Sequence, residues 1–268
     1  MAKRVKIILN GACGRMSKEI IRASASFKEI RIVGGVDVSN HPRLGADLGE
    51  IAGVEPIGAL LVSDLKKLLP ITDVIVDFSS PQASLAAFEA ARAKGTPIVC
   101  GTTGFSAKDE EKIKQAAEKI PVILSSNMSL GMHLLALICR KAAEVLSSGY
   151  DIEIYEAHHR HKKDAPSGSA LLLADALFEG RGQSRKALVF DRSKQREERD
   201  RNSIGIASAR GGDIIGIHKV LIAGEGEYLE LSHTATSRQA FAQGALTAAL
   251  WVADKEAGMY TMRDVLRL

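Results

Sequence analysis

The chain has 268 residues, of which 46% are hydrophobic and 25% charged, so it can form a large core and, we expect, two domains. Its net charge of +4 is spread along the sequence and only 4% of its residues are aromatic, which argues against a nucleic-acid partner. No stretch approaches the roughly 20 apolar residues that span a bilayer, and the three cysteines are widely spaced. We therefore expect a cytoplasmic protein with reduced thiols and no membrane partner.

Short apolar strands alternate with helical segments through the first half of the chain. This alternation is typical of βαβ units, and it predicts a Rossmann-type, doubly wound parallel sheet with helices on both faces. The predicted strands are 5–9, 30–36, 74–78, 97–100 and 122–124, and the predicted helices are 15–26, 82–94 and 106–119.

The pattern changes after Asn127. The second half predicts an α+β domain with an open mixed sheet, and a final Ala-rich helix that could return to the first domain. Between the two parts of this sheet, residues 181–202 carry many charges of both signs and predict a mobile or partner-facing loop. The predicted helices are 130–146, 169–178 and 238–255, and the predicted strands are 151–157, 204–209, 214–222 and 228–232.

A glycine-rich turn, NGACGRMS at 10–17, joins the first predicted strand to the first helix. Gly11 permits a tight turn, and Gly14 lets the backbone approach a pyrophosphate at the positive end of the helix. The G-x-G-x-x-G pattern is incomplete, because Cys13 and Ser17 occupy two of its positions. The strand-turn-helix setting favours dinucleotide binding, and a turn needed only for packing is the alternative.

Asp37 lies at the end of the second predicted strand, about twenty residues beyond the glycines. A carboxylate at this position can accept hydrogen bonds from the adenosine ribose, which favours NAD. The next residue is Val38 rather than an arginine that could hold a 2′-phosphate, although His41 and Arg43 are close in sequence. A simple turn residue is the alternative.

Two polar loops follow strands at the carboxyl edge of the predicted sheet, where ligands of open parallel sheets bind. The GTTG segment at 101–104 suits contacts to the nicotinamide half of a cofactor, and SSNM at 125–128 follows the next strand, near the domain junction. Either segment can be an ordinary loop, but their shared edge favours a common ligand.

The segment 153–170, EIYEAHHRHKKDAPSGSA, concentrates titratable groups. In an extended strand His158 and His159 point to opposite sides, so one can serve a reacting centre while the other holds a carboxylate. Lys162 supplies a cation, and the Pro-Ser-Gly-Ser turn at 166–169 opens a helix whose free N–H groups favour an anion. These features predict a site for a small dicarboxylate that is reduced with proton transfer, and a solvated basic loop is the alternative.

The three histidines of this segment also raise the question of zinc. Zinc ligands usually come from separated short spacings, and the adjacent lysines repel a cation, so we predict no metal. His161 and Arg210 have no assigned role, and neither has Arg238, a cation at the unfavourable end of the last helix.

Six segments of the chain occur in the order found in dihydrodipicolinate reductases, also called 4-hydroxy-tetrahydrodipicolinate reductases, of the lysine and diaminopimelate pathway. The resemblance covers nearly the whole chain, and HHRHK followed by DAPSG is its most specific part. The segments are GACGRM, VDFSSP, GTTG, SSNMSLGMHLL, EAHHRHKKDAPSGSA and RGGDIIG.

The resemblance implies roles for individual residues. His158 would be the proton donor and acceptor and Lys162 the second donor, while His159, Gly168 and Ser169 would bind the substrate carboxylates. The implied cofactor contacts are Gly11, Ala12, Cys13, Gly14, Arg15, Met16, Asp37, Gly101, Thr102, Thr103, Ser125, Ser126, Asn127 and Met128.

The resemblance further implies a homotetramer that reduces 4-hydroxy-tetrahydrodipicolinate with NAD(P)H and loss of water. Residues 1–128 with 238–268 would form the dinucleotide-binding domain, and residues 129–237 the substrate-binding and oligomerisation domain. Many relatives have an acidic residue followed by arginine where this chain has Asp37-Val38, so NADH is favoured over NADPH. In a second departure, Ser17 replaces a common glycine.

Two other functions are compatible with parts of the sequence. One is another nicotinamide oxidoreductase of the same plan, such as an aspartate or homoserine dehydrogenase-like enzyme, against which the paired HHRHK and PSGS segments argue. The other is a redox-sensing regulator that binds NAD(H) without turnover, for which the His/Lys run is not needed.

Overall fold

The structure is a computed structural model that describes residues 4–146, 149–184, 187–190, 192–193 and 195–267. The chain divides into two compact units, one formed by Met1–Ser129 with Arg238–Leu268 and the other by Leu130–Ser237. Ser129, which we expected to begin the second domain, belongs to the first unit.

In the described part of the chain, secondary structure follows the alternating pattern read from the sequence. The strands are β1 (Val5–Asn10), β2 (Ile30–Val36), β3 (Leu61–Val62), β4 (Val74–Asp77), β5 (Ile98–Cys100), β6 (Pro121–Leu124), β7 (Asp151–His158), β8 (Leu188–Val189), β9 (Ile204–Arg210), β10 (Gly216–Ala223), β11 (Tyr228–Ala235) and β12 (Gly258–Tyr260). The α-helices are α1 (Arg15–Ser24), α2 (Leu48–Ala52), α3 (Pro81–Lys94), α4 (Ala107–Ala117), α5 (Leu130–Leu146), α6 (Gly168–Gly180), α7 (Gln239–Val252) and α8 (Met262–Leu266).

The first unit contains a seven-stranded sheet in the order β12-β6-β5-β4-β1-β2-β3. Each neighbouring pair is parallel. Strand order 3-2-1-4-5-6 is that of the Rossmann fold, so the predicted doubly wound parallel sheet is confirmed. The central strands β1 and β4 are almost entirely buried, since helices cover both faces of such a sheet.

The second unit contains a five-stranded sheet in the order β11-β10-β7-β9-β8. Strand β10 is antiparallel to β7 and β11, whereas β7, β9 and β8 are parallel, so the predicted mixed sheet is confirmed. Along β7, Ile152 and Ile154 are buried in a core with α5 and α6, while Glu153 and Tyr155 are more exposed. This alternation positions Glu156 and His158 on the same face as Ile154.

The charged segment 181–202 makes specific contacts with β7. Arg192 donates to Glu153 across 2.8 Å from Nε to Oε1, and Arg199 forms ion pairs with Asp151 and Glu153. Residues 185–186, 191 and 194 of this segment lie outside the described residues. The described arginines therefore neutralise the carboxylates on the outward-facing positions of β7.

Among the helices of the described residues, none is both long enough and apolar enough to cross a bilayer.

Candidate functional site

The turn between β1 and α1 is a tightly bonded loop. Gly11 has a φ of +76°, and a Cβ on it would lie 2.6 Å from the carbonyl oxygen of Phe78, so only glycine fits without displacing the backbone. The N–H groups of Gly11 and Ala12 both donate to Val36 O at 2.9 Å, and that of Gly14 donates to Gly11 O at 3.0 Å. Because the turn uses these donors internally, an anion here would be held by the first turn of α1.

The start of α1 is open to such an anion. Its N-cap is Gly14, which has no side chain to bond the first N–H groups of the helix. The hydroxyl of buried Ser17 donates to Gly11 O at 2.8 Å, so this departure from glycine ties the helix to the turn. Ala12 is fully buried, and its methyl group lies where a Cβ on Gly35 would clash, so its side chain has a packing role.

A cavity of about 1030 Å³ lies beside this turn and contains Asp37. The Asp37 carboxylate accepts the N–H of Cys13 at Oδ2 and that of Val38 at Oδ1, both at 2.9 Å. Each carboxylate oxygen has further acceptor capacity for a ligand hydroxyl. The structure thus brings two of the predicted cofactor elements together; the lining includes Gly11, Cys13, Gly14, Asp37, Val38 and His41.

The other two predicted loops lie side by side at the carboxyl ends of β5 and β6. The N–H of Ser125 donates to Cys100 O at 3.1 Å, its hydroxyl donates to Asn127 O at 2.6 Å, and Met128 is buried. Ser126 and Thr103 are exposed. Neither loop is part of the described lining of the 1030 Å³ cavity, so the structure groups these loops with each other rather than with Asp37.

Asp77, at the end of β4, is a fully buried carboxylate that joins three strand ends. Its Oδ1 accepts the side-chain amide of Asn10 at 2.9 Å, and its Oδ2 accepts the hydroxyl of Thr102 at 3.2 Å and the thiol of Cys100 at 3.1 Å. Ser79 and Ser84 also donate to it. The carboxylate therefore holds the end of β1 and the loop after β5 in a fixed relation.

We expect Asp77→Asn to lower the free energy of unfolding by about 2 kcal/mol. The side-chain NH₂ of asparagine is a donor, and it would face side chains that donate hydrogen bonds to the carboxylate in the wild type. Denaturant unfolding measures this loss, and calorimetry should detect dinucleotide binding weakened about tenfold. Asp73→Asn is the matched control. Asp73 directly precedes β4, and its carboxylate accepts a hydrogen bond from the backbone N–H of Lys6 in an exposed position. Equal effects of the two substitutions would contradict a special role for Asp77.

In the second unit, His158 lies at the end of β7 and is 8% exposed. Its Nδ1 is 2.6 Å from Oε2 of Glu156, which is fully buried. Arg210 binds both oxygens of that carboxylate, at 2.9 and 2.8 Å. Burial opposes ionisation of Glu156, but hydrogen bonds from Arg210, Ser208 and His158 outweigh it and lower the pKa of Glu156 to about 2.

The pKa of His158 lies below its ordinary value. Burial is the main cause, Glu156 opposes it, and the positive charges of Lys162 and Arg210 add to the lowering. At neutral pH the imidazole is therefore mainly uncharged and able to take up a proton.

Lys162 belongs to the same local network. Its Nζ lies 3.0 Å from Oδ1 of Asp164, and Arg210 donates to the backbone oxygen of Asp164 at 2.6 Å. The N–H of Lys162 donates to His159 O at 3.0 Å, which closes a turn directly after β7. His159 therefore lies just beyond the strand end, with its ring 6.2 Å from that of His161.

The first turn of α6 is connected to the same carboxylate. Ser167 is the N-cap: its hydroxyl accepts the N–H of Ala170 at 3.1 Å, and its own N–H donates to Glu156 Oε1 at 3.3 Å. Gly168 and Ser169 are the first two residues of the helix. The structure thus brings the predicted proton-transfer and carboxylate-binding residues into one small region of the second unit.

A further histidine, His218, packs against this network. Its Nε2 is 3.1 Å from the hydroxyl of Ser167, and its ring meets that of His158 edge-on at 5.1 Å between centroids. Burial, with a contribution from His158, lowers the pKa of His218 to about 3, so it is neutral across the physiological range.

Glu156, His158 and His218 are also the described residues whose ligand atoms lie close enough to hold a metal ion, all within 4.8 Å. The guanidinium of Arg210 engages both oxygens of Glu156 and places a fixed positive charge there. A bound cation would have to displace that pairing, so the donor set is better suited to proton transfer than to metal binding.

Comparison with known proteins connects both units to one family. Residues 5–128 match the family described as dihydrodipicolinate reductase, N-terminus, and residues 131–266 match dihydrodipicolinate reductase, C-terminus. The chain belongs to the dihydrodipicolinate reductase family. It is 43% identical over 264 residues to 4-hydroxy-tetrahydrodipicolinate reductase of Anaeromyxobacter dehalogenans (strain 2CP-C), and 48% identical over 265 residues to that of Zymomonas mobilis, with 98% of each chain covered.

A solved structure of a dihydrodipicolinate reductase supports the fold. Dipicolinate-bound dihydrodipicolinate reductase from Paenisporosarcina sp. TG-14 superimposes with a TM-score of 0.72 at 22% identity, covering 96% of this chain and 97% of that one. At this level of identity the likeness establishes the two-unit architecture.

Three residues of this network had no role assigned from the sequence. Glu156 is two residues before His158, and the period of two along a strand was the signal that could have identified it. His218 and Arg210 come from other strands, where β10 pairs His218 with Glu156 and β9 pairs Arg210 with His158. Those contacts depend on strand register, which the sequence does not display.

Proposed function

We propose that this chain is a 4-hydroxy-tetrahydrodipicolinate reductase, which reduces 4-hydroxy-tetrahydrodipicolinate to tetrahydrodipicolinate with loss of water in lysine and diaminopimelate biosynthesis. The main support is that family similarity extends over both units and that curated relatives of nearly equal length carry this name. The network around His158 supplies the proton-transfer groups that such a reduction needs.

The first unit would bind NAD(P)H, which supplies a hydride when bound. Its residues fit a dinucleotide: Gly11 keeps the turn free of side chains, the start of α1 suits a pyrophosphate, and Asp37 has acceptor capacity for ribose hydroxyls. NADH would be the preferred form, because the carboxylate of Asp37 disfavours a 2′-phosphate and Val38 offers no positive charge. The loops at 101–103 and 125–128 would contact the nicotinamide half.

The second unit would bind the dicarboxylate substrate. Gly168 and Ser169 open α6, where N–H groups and the helix dipole favour one carboxylate, and His159 would hold the other. Lys162 adds a positive charge in the turn after β7, which also contains His159. Burial of the His158 imidazole excludes water from the position where a proton is exchanged.

His158 would exchange a proton with the substrate through Nε2, because Nδ1 is bonded to Glu156. Lys162 would act as the second donor and would stabilise negative charge that develops on the substrate.

Assembly as a homotetramer in the cytoplasm completes the proposal. The sheet of the second unit carries exposed apolar side chains, with Tyr155 exposed by 43%, Tyr228 by 71% and Leu229 by 39%. Such side chains are favourable in a subunit interface.

An enzyme assay tests the proposed function. Purified protein is mixed with NADH or NADPH and freshly generated 4-hydroxy-tetrahydrodipicolinate, and cofactor absorbance is followed. We expect oxidation only when substrate is present, with a higher kcat/KM for NADH. Folded protein that binds NADH but does not oxidise it would contradict the proposal and favour the regulator. Turnover with aspartate semialdehyde instead would favour the alternative dehydrogenase.

A further inference from the structure

A buried ion pair lies directly beside His158. Glu156 has no exposed surface, and each of its two carboxylate oxygens accepts a hydrogen bond from one terminal nitrogen of Arg210. The guanidinium is itself fixed, since it donates to the backbone oxygens of Ala209 and Asp164, each at 2.6 Å. With the Ser167 N–H as an additional donor, the carboxylate has a single well-defined orientation.

The orientation of this carboxylate determines which nitrogen of His158 carries the proton. An ionised carboxylate can only accept hydrogen bonds, so Nδ1 of His158, 2.6 Å away, must be the donor. In the neutral imidazole the lone pair is then on Nε2. Gly216 lies across from it, where a Cβ would be 3.2 Å from Nε2, so the absence of a side chain leaves room beside the reactive nitrogen.

We propose that the Glu156–Arg210 ion pair is the positioning element of His158: it fixes the ring with its proton on Nδ1 and leaves Nε2 to exchange a proton with the substrate. The inference rests on the proposed function, since it assigns His158 to proton transfer. A buried ion pair is usually no more stabilising than apolar residues of the same volume, so fold stability alone does not account for it.

The titratable and charged groups that face His158 come from four parts of the second unit. Glu156 is on β7, Arg210 ends β9, Lys162 lies in the turn after β7, and His218 is a neutral ring on β10. Glu156 favours the protonated imidazole, whereas Arg210 and Lys162 disfavour it. Removing Glu156 and removing Arg210 should therefore move the pKa of His158 in opposite directions.

Glu156→Gln and Arg210→Met test this through the pH dependence of kcat. For Glu156→Gln we expect the limb that belongs to His158 to move down by about 1 pH unit, and kcat at neutral pH to fall on the order of 100-fold. For Arg210→Met the limb should move up. Glu153→Gln is the matched control, because Glu153 is on the same strand and pairs with arginines on the other face, and it should leave the limb in place. Shifts in the same direction, or none, would overturn the proposal.

Nitrogen-15 NMR of the histidine rings gives a second test that needs no turnover. In the wild-type protein the neutral His158 ring should carry its proton on Nδ1, and Glu156→Gln should reduce that preference. Wild-type His158 with its proton on Nε2 would overturn the proposal even if the variants failed to fold. If the assay detected no substrate reduction while NMR found the Nδ1–H form, the proposed function would fail and the positioning of the ring would stand.

Discussion

Replacing His158 by alanine is expected to lower kcat by a factor of about 10² to 10⁴, the usual contribution of a positioned acid–base group. The imidazole is buried, bonded to Glu156 through Nδ1 and uncharged at neutral pH, so its Nε2 carries the lone pair that takes up a proton. Steady-state kinetics with the dicarboxylate substrate measures this loss. The Kd of NADH, followed by fluorescence, should not change, because the residues proposed to bind it belong to the first unit.

His161→Ala is the matched control for this substitution. His161 belongs to the same histidine-rich turn but is exposed, and we expect a change in kcat of no more than a few-fold. If His158→Ala retained kcat close to that of the wild type, His158 would have no part in proton transfer, and the source of the proton would have to be found elsewhere.

Lys162→Ala has the second largest expected effect. Its ammonium group is a point charge in a partly buried turn, paired with Asp164 and close enough to His158 to influence its pKa. Loss of this charge should lower kcat about 100-fold and also raise KM, because the lysine would contact the substrate as well as the developing charge. Kinetics at saturating NADH separates the two parameters.

Lys163→Ala provides the comparison, since the neighbouring lysine is exposed and carries the same charge. We expect this variant to keep kcat and KM within a few-fold of the wild type. Similar losses in the two variants would indicate that the net charge of the turn, rather than the position of Lys162, is what matters.

Much of the fold could be predicted because its strands differ sharply from their surroundings. The apolar runs of β1, β4 and β5 end in glycine or polar residues, which marks both the strands and the carboxyl edge of the sheet. The strands β3, β8 and β12 were missed, because two or three residues are too few for a periodic signal. Their places in the two sheets come from pairing with β2, β9 and β6 respectively.

The candidate site was predictable only where its residues are neighbours in sequence. His158 and Lys162 lie within one short segment, so residue type and spacing suggested chemistry. Arg210 and His218, which complete the network around Glu156 and His158, come from β9 and β10, and Asp77 collects donors from several strand ends and a helix. A contact between distant residues needs the register of the sheet, and no local pattern contains that information.

Ser167 has a consequence for how ligand binding and protonation depend on each other. It caps α6, contacts His218 with its hydroxyl and donates its N–H to the carboxylate that orients His158. An anion at the start of α6 would therefore favour the protonated form of His158. Thermodynamic reciprocity requires that protonation of His158 strengthen anion binding by the same factor, so the affinity for a dicarboxylate should rise as the pH falls.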